Sequence, residues 1–205
     1  TVILKPAQLA SLAVVRLGEL MQAAGLPPGV VNIITGPGTV IGAAMAEHPD
    51  INKLQVTGST AVGRSVIRAS AGNLKRLALE LGSKAPNIIF ADANLDESLP
   101  GAFKAAFGNT GQSCVAGARL FVQKPIFDEV TARLVELAQA TRIGHALNPV
   151  TELGPIVDQT QTNTILNYIK SGQEQGATLV CGGQQLTAGD FGRGFYIQPT
   201  IFTNV

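Results

Sequence analysis

Leu54-Gln55-Val56-Thr57-Gly58-Ser59-Thr60-Ala61-Val62-Gly63 is the stretch that decides the fold. A short apolar run at 54–56 reads as a strand, Thr57-Gly58 as a tight turn, and the pattern from Ser59 to about residue 70 as a helix. Ser59 stands where helix N-caps lie. A strand that turns directly into a helix N-terminus gathers backbone N–H groups at one point, which is where anions bind. On residues alone, a cap at Ser59 and a ligand phosphate at the turn are both open.

The same succession recurs on either side. Upstream, residues 2–4 read as a strand, and Pro6 opens a helix to about residue 24 with Leu9, Leu12, Ala13, Leu17, Leu20 and Met21 at helical spacing. Gly25-Leu26-Pro27-Pro28-Gly29 breaks it. A strand at 30–34 leads through Gly36-Pro37-Gly38 to a helix at 39–47, and 74–81 is the next strand. Gly36-Pro37-Gly38-Thr39-Val40-Ile41-Gly42 is one residue too long in its last interval for the G-x-G-x-x-G fingerprint. Alone it supports nucleotide binding no better than an ordinary loop-to-helix junction. Strands alternating with helices predict an α/β fold with a parallel sheet of the dinucleotide-binding type.

Beyond Gly82 the pattern predicts strands at 87–90 and 120–122, helices at 96–107, 125–141 and 160–174, and late strands at 178–181 and 196–197. A polar loop covers 145–158 and a glycine-rich one 182–194. The boundary at Gly82 divides the chain into residues 1–82 and 83–205. Both ends fall in strand-like apolar runs, and the chain reads as a segment of something longer.

Composition narrows the function classes. A formal charge of +1, with no basic block and no tryptophan, gives no electrostatic reason to expect nucleic acid or an anionic membrane as partner. Apolar stretches are interrupted before they reach spanning length. Two distant cysteines, Cys114 and Cys181, form neither a disulfide framework nor a metal motif, which fits a reducing, cytoplasmic compartment.

Chemistry concentrates around Gly111-Gln112-Ser113-Cys114-Val115-Ala116-Gly117. Small residues on both sides of Cys114 let a ligand approach a thiol, and a partly exposed thiolate is a strong nucleophile. The competing reading is a small buried hydrophobe. Glu80, in the apolar strand Leu77-Ala78-Leu79-Glu80-Leu81, is expected to be buried, which would raise its pKa toward that of a general base. Alternatively it pairs with Lys75, Arg76 or Lys84. Lys5 ends the first strand, facing a phosphate or ribose, or solvent. Cys181 reads as core, His48 and His145 as turn residues, and Phe103 and Phe107 as core in preference to a substrate channel. No metal-ligand cluster is apparent.

In order and spacing, these motifs resemble the NAD(P)-dependent aldehyde dehydrogenase superfamily. Leu4-Lys5-Pro6-Ala7, Val56-Thr57-Gly58-Ser59-Thr60, Leu79-Glu80-Leu81-Gly82 and Gly111-Gln112-Ser113-Cys114 carry the resemblance. Gly154-Pro155-Ile156-Val157-Asp158 and Gly194-Phe195-Tyr196-Ile197-Gln198-Pro199-Thr200 extend it nearly to the C-terminus. It implies that residues 1–82 are the C-terminal half of a Rossmann-like dinucleotide-binding domain and 83–205 an incomplete α/β catalytic domain bearing the nucleophile.

The resemblance further implies aldehyde oxidation to a carboxylic acid with NAD or NADP, through Cys114 as nucleophile and Glu80 as general base. Lys5 and Gln8 would face the adenosine ribose, Gly38, Gly42, Gly58 and Ser59 the pyrophosphate, and Gln161 the nicotinamide-side ribose. The full-length enzyme is expected to be a homo-oligomer.

Three departures qualify it. Gln8 replaces a glutamate common in NAD-preferring members, leaving NAD and NADP both open. Ser83 stands where a second glycine is frequent. The family's oxyanion-hole asparagine and a Glu-x-Phe-Gly-Pro motif fall outside these residues. A lost oxyanion donor typically costs about 100- to 1000-fold, so the 205 residues alone are expected to turn over little, as a silent fragment. A CoA-acylating relative is the other alternative, and retention of Glu80 argues against it.

Overall fold

Parallel strand pairs joined by helical crossovers dominate the computed structural model, which describes Thr1–Val205. The chain divides into two compact units, Thr1–Gly82 and Ser83–Val205. No helix is long and apolar enough to cross a membrane.

In the first unit, β1 (Val2–Leu4) is followed by a 3-10 turn at Gln8–Ala10, α1 (Leu12–Ala23) and β2 (Val31–Ile33). β2 runs parallel to β1 with Leu4 opposite Ile33. The face of α1 that packs is not the leucine face. Leu12, Leu17 and Leu20 are exposed, and the half-buried positions are Ser11, Val14, Gly18 and Met21. Gly18 explains the choice: a Cβ there would lie 2.7 Å from Ile33 Cδ1, so glycine lets the helix sit this close to β2 without displacing that side chain.

A π-turn at Gly38–Gly42 leads into α2 (Ala43–Glu47), then β3 (Lys53–Gly58), α3 (Thr60–Ala69) and β4 (Arg76–Leu81). β3 and β4 are parallel, with Thr57 opposite Glu80. Ala46, Leu54 and Val66 form the core here, with Leu77 and Leu79 packed against it. The predicted parallel sheet is therefore realised as separate two-stranded pairs.

Lys75 is buried, and its Nζ donates to the carbonyls of His48 at 2.8 Å and Met45 at 3.3 Å. It caps the negative end of α2 and is not a partner of Glu80.

The second unit contains β5 (Pro86–Ile89), α4 (Leu95–Phe107), β6 (Arg119–Val122), α5 (Phe127–Ala140) and α6 (Gln159–Glu174). The late strands are β7 (Thr178–Cys181), β8 (Gln185–Leu186), β9 (Tyr196–Ile197) and β10 (Ile201–Thr203). β5 pairs with β6 in parallel, whereas β7 with β10 and β8 with β9 are antiparallel.

Helices α4 and α5 bury Leu99, Ala102, Val130 and Leu134 with Ile89, and Phe103 packs against that core. Its ring lies 4.7 Å from that of Phe107. β8 falls inside the predicted glycine-rich loop. Gly182 and Gly183 both have positive φ and turn the chain back, so that Gln185 and Leu186 meet Ile197 and Tyr196.

Candidate active site

The loop that carries Cys114 begins where α4 stops. Asn109, Thr110 and Gly111 have φ of 53°, 57° and 69°, three successive left-handed residues of which two are not glycine. Each non-glycine residue held there costs of order 1–3 kcal/mol and persists only when its surroundings impose it.

Those surroundings are visible. Asn109 Nδ2 donates to the Gln112 carbonyl at 3.1 Å, and the Gln112 N–H returns to the Asn109 carbonyl at 3.1 Å. Thr110 Oγ1 donates to the Gly154 carbonyl at 3.2 Å. The Gln112 side-chain amide then acts as a two-sided clamp, its Nε2 donating to the Pro155 carbonyl at 3.3 Å and its Oε1 accepting from the Val157 N–H at 2.9 Å. Past the cysteine, the Gly117 N–H ties the loop to the Ala105 carbonyl of α4 at 3.0 Å.

Cys114 lies at the crest of this loop, free and exposed. Its following peptide is held at both ends. The Cys114 carbonyl accepts from Ser83 Oγ at 2.6 Å, and the Val115 N–H donates to Ser113 Oγ at 3.4 Å. The N–H of Cys114 itself has no acceptor in the chain. Cys181, on β7, is half-buried, and burial pushes its thiol up from the ordinary value, a bond from the Gly182 backbone partly opposing this.

Gln161 is in the first turn of α6, where its N–H donates to the N-cap Asp158 Oδ1 at 2.7 Å. Its side chain is exposed. Gln112 clamps the segment that runs into this helix, so the Cys114 loop and the start of α6 belong to one hydrogen-bonded system.

In the first unit, Lys5 Nζ donates to the Pro6 carbonyl at 2.6 Å and the Gly36 carbonyl at 3.3 Å, bringing Lys5 to the turn after β2. Gln8 is exposed in the neighbouring 3-10 turn. Gly36 is the glycine this turn demands: its φ is 147°, and a Cβ would lie 2.6 Å from Ile41 Cδ1. Gly38 and Gly42 have open space instead. Gly58 ends β3, and Ser59 Oγ caps α3 by accepting from the Val62 N–H at 3.2 Å.

These groups fit a dinucleotide. The first N–H groups of a helical turn lack intrahelical partners, as at Gly38, Thr39, Thr60 and Ala61. The Lys5 ammonium has a third donor, and the Ser59 hydroxyl proton remains available after capping.

Glu80 departs from expectation: it is exposed, not buried, and takes part in no ion pair. Strand alternation is the reason. Leu77, Leu79 and Leu81 turn toward α3, with Leu81 over Gly63, which sends Glu80 to the opposite face. His48 and His145 each accept a backbone N–H within a surface turn.

Ser83, Gln112 and Thr110 were not singled out by sequence reasoning as loop supports. Nothing in their spacing marks the contacts of Ser83 and Gln112. The adjacent Asn109-Thr110-Gly111 does carry a signal, since asparagine and glycine favour left-handed backbone.

Parallel βα units, and an exposed cysteine on a preset loop of the second unit, define the class: an α/β protein of two units, one of which bears a free thiol. The sequence matches the aldehyde dehydrogenase family over residues 1–205. It is 48% identical to retinal dehydrogenase 2 of Gallus gallus over 207 aligned residues, covering all of this chain and 39% of that protein. An aldehyde dehydrogenase of Enchytraeus buchholzi is 47% identical, with 41% of its length covered.

Among solved structures, betaine aldehyde dehydrogenase of Staphylococcus aureus in complex with NAD+ superposes with a TM-score of 0.95 at 32% identity, covering 99% of this chain and 40% of that one. A variant aldehyde dehydrogenase of Bacillus cereus gives 0.95 at 41% identity, covering 100% and 41%. The chain belongs to the aldehyde dehydrogenase family. It spans about 40% of the length of these relatives.

Proposed function

We propose that this chain carries the nucleophile and the general base of an enzyme that oxidises an aldehyde to a carboxylic acid. The observation that carries the reading is Cys114: an exposed thiol on a loop held by hydrogen bonds, with its own N–H unpartnered.

Cys114 Sγ, as thiolate, attacks the aldehyde carbon, forming a C–S bond while the carbonyl oxygen becomes an oxyanion. The free Cys114 N–H is a donor for that oxygen. When bound, NAD or NADP would supply the hydride acceptor that this oxidation requires. Lys5, Gln8, Gly38, Gly42, Gly58, Ser59 and Gln161 are the residues assigned to hold it.

Cys114 is then the acyl carrier as a thioester. Glu80 takes a proton from water, the hydroxide adds to the thioester carbonyl, and the C–S bond breaks to release the acid and the thiolate. An exposed Glu80 is accessible to the water it must activate. Two free cysteines, one of them the nucleophile, support a reducing cytoplasmic setting. Homo-oligomerisation of the full-length enzyme rests on the family alone.

The test is aldehyde-dependent formation of NADH and NADPH by the full-length enzyme. Cys114→Ala is expected to abolish both. Glu80→Gln is expected to retain a first-turnover burst of reduced cofactor while the steady-state rate falls by about 100-fold or more. A Glu80→Gln protein with an unchanged steady state would remove Glu80 from the mechanism.

A further inference from the structure

Ser83 makes a contact that a glycine at its position cannot make: its hydroxyl donates to the carbonyl of Cys114 at 2.6 Å. We propose that Ser83 is a positioning residue that fixes the peptide after the nucleophile and thereby aims the Cys114 N–H at the developing oxyanion. The proposal rests on the assignment of Cys114 as nucleophile and deepens it.

The peptide joining Cys114 to Val115 has two polar groups, and both are engaged. Ser83 Oγ holds the carbonyl, and Ser113 Oγ takes the Val115 N–H at 3.4 Å. The preceding peptide is held on its carbonyl side, where Ser113 accepts from the Ala116 N–H at 3.2 Å. The Cys114 N–H, on the same peptide, is left pointing free.

Of these bonds, those to Ser113 and Ala116 are local to the turn and can rotate with it. Only Ser83 reaches the crest from a distant segment, 31 positions away in sequence. Without it the Cys114 carbonyl is free to swing, carrying the backbone on which the oxyanion donor sits. Oxyanion stabilisation depends on donors fixed before the reaction, so loss of the anchor weakens the transition state. The thiol itself stays equally exposed. Ser83 therefore acts on one kind of Cys114 chemistry and leaves the other alone.

Two reagents separate the two kinds. With 4-nitrophenyl acetate, Cys114 Sγ adds to the ester carbonyl through an oxyanion, the S–C bond forms, and 4-nitrophenolate leaves. With iodoacetamide, Sγ displaces iodide and no oxyanion arises. Neither needs the nicotinamide cofactor. Both rates are measured on the intact protein by mass spectrometry of the Cys114 peptide, for the unsubstituted protein and for Ser83→Ala, Ser83→Gly and Ser83→Thr.

The expected result is a fall in acylation of about threefold to tenfold in Ser83→Ala and Ser83→Gly, as for loss of one hydrogen bond. Alkylation should change less than about twofold, and Ser83→Thr, which keeps the hydroxyl, should restore acylation. Acylation unchanged in Ser83→Ala overturns the proposal, as does a parallel fall in both reactions, which marks a general loss of structure. Failure of Cys114 to be acylated in the unsubstituted protein overturns the nucleophile assignment and the anchoring role together.

Discussion

Lys75 occupies a place lysine seldom takes, 7% exposed, with its ammonium against the last carbonyls of α2. Removing the charge leaves the Met45 and His48 carbonyls without their donor in a covered site. Lys75→Met is expected to lower unfolding free energy by about 1.5–3 kcal/mol, the range for hydrogen bonds to charged groups, read from the urea midpoint at constant slope. The two cysteines differ just as sharply. Folding holds the Cys181 thiol protonated at pH values where the unfolded chain has begun to ionise. The stability this represents is intact below the ordinary thiol value of 9.0 and is lost as pH rises above it toward the raised folded value. Iodoacetamide at pH 8 should therefore modify Cys114 well before Cys181, with the gap narrowing at higher pH. Equal rates at pH 8 would contradict the burial of Cys181.

Among elements, the helix starts can be tested most directly. Ser59→Ala deletes the only side-chain cap of α3 and is expected to cost about 1 kcal/mol, measurable by thermal unfolding. Gln112→Ala opens the clamp on the segment leading to α6. Amide exchange at Val157 should quicken by about fivefold to tenfold, whereas an unchanged Val157 would mean the clamp carries no stability.

At this scale much was legible in the sequence, because period and breakers are local properties. The helix through Val130, Leu134 and Ala138 buries those residues, and Ser59 caps where a serine before an apolar run should. What failed to read depends on a partner far along the chain. The leucine face of α1 and the glycine face are both plausible from spacing, and the choice is made by Ile33. Glu80 reads as buried from its neighbours, yet β4 is covered by the core on one side, and Arg76 and Glu80 on its other face are exposed. The hydroxyl of Ser83 and the amide of Gln112 find backbone partners that no pattern marks.

For the molecule as a whole, exposed surface is the telling quantity. The chain exposes 13563 Å², against about 9,100 Å² for a folded monomer of 21.2 kDa. Leu9, Leu12, Leu74, Ile88, Phe90 and Phe121 are part of that excess. Taken by itself in solution, this polypeptide is expected to self-associate as its concentration rises, through apolar faces and open strand edges. Light scattering after size-exclusion chromatography checks this, and a monomer at all concentrations would contradict it. The pairing of the strands has another consequence, for how the protein is made. Each parallel pair joins neighbours along the chain through a single crossover, Val2 with Val31, Lys53 with Arg76 and Pro86 with Arg119. A ribosome delivering the chain from its N-terminus therefore completes one pair before beginning the next. The loop that carries Cys114 emerges after both pairs of the first unit and before the 154–157 segment that holds it, so the thiol leaves the tunnel ahead of its own supports.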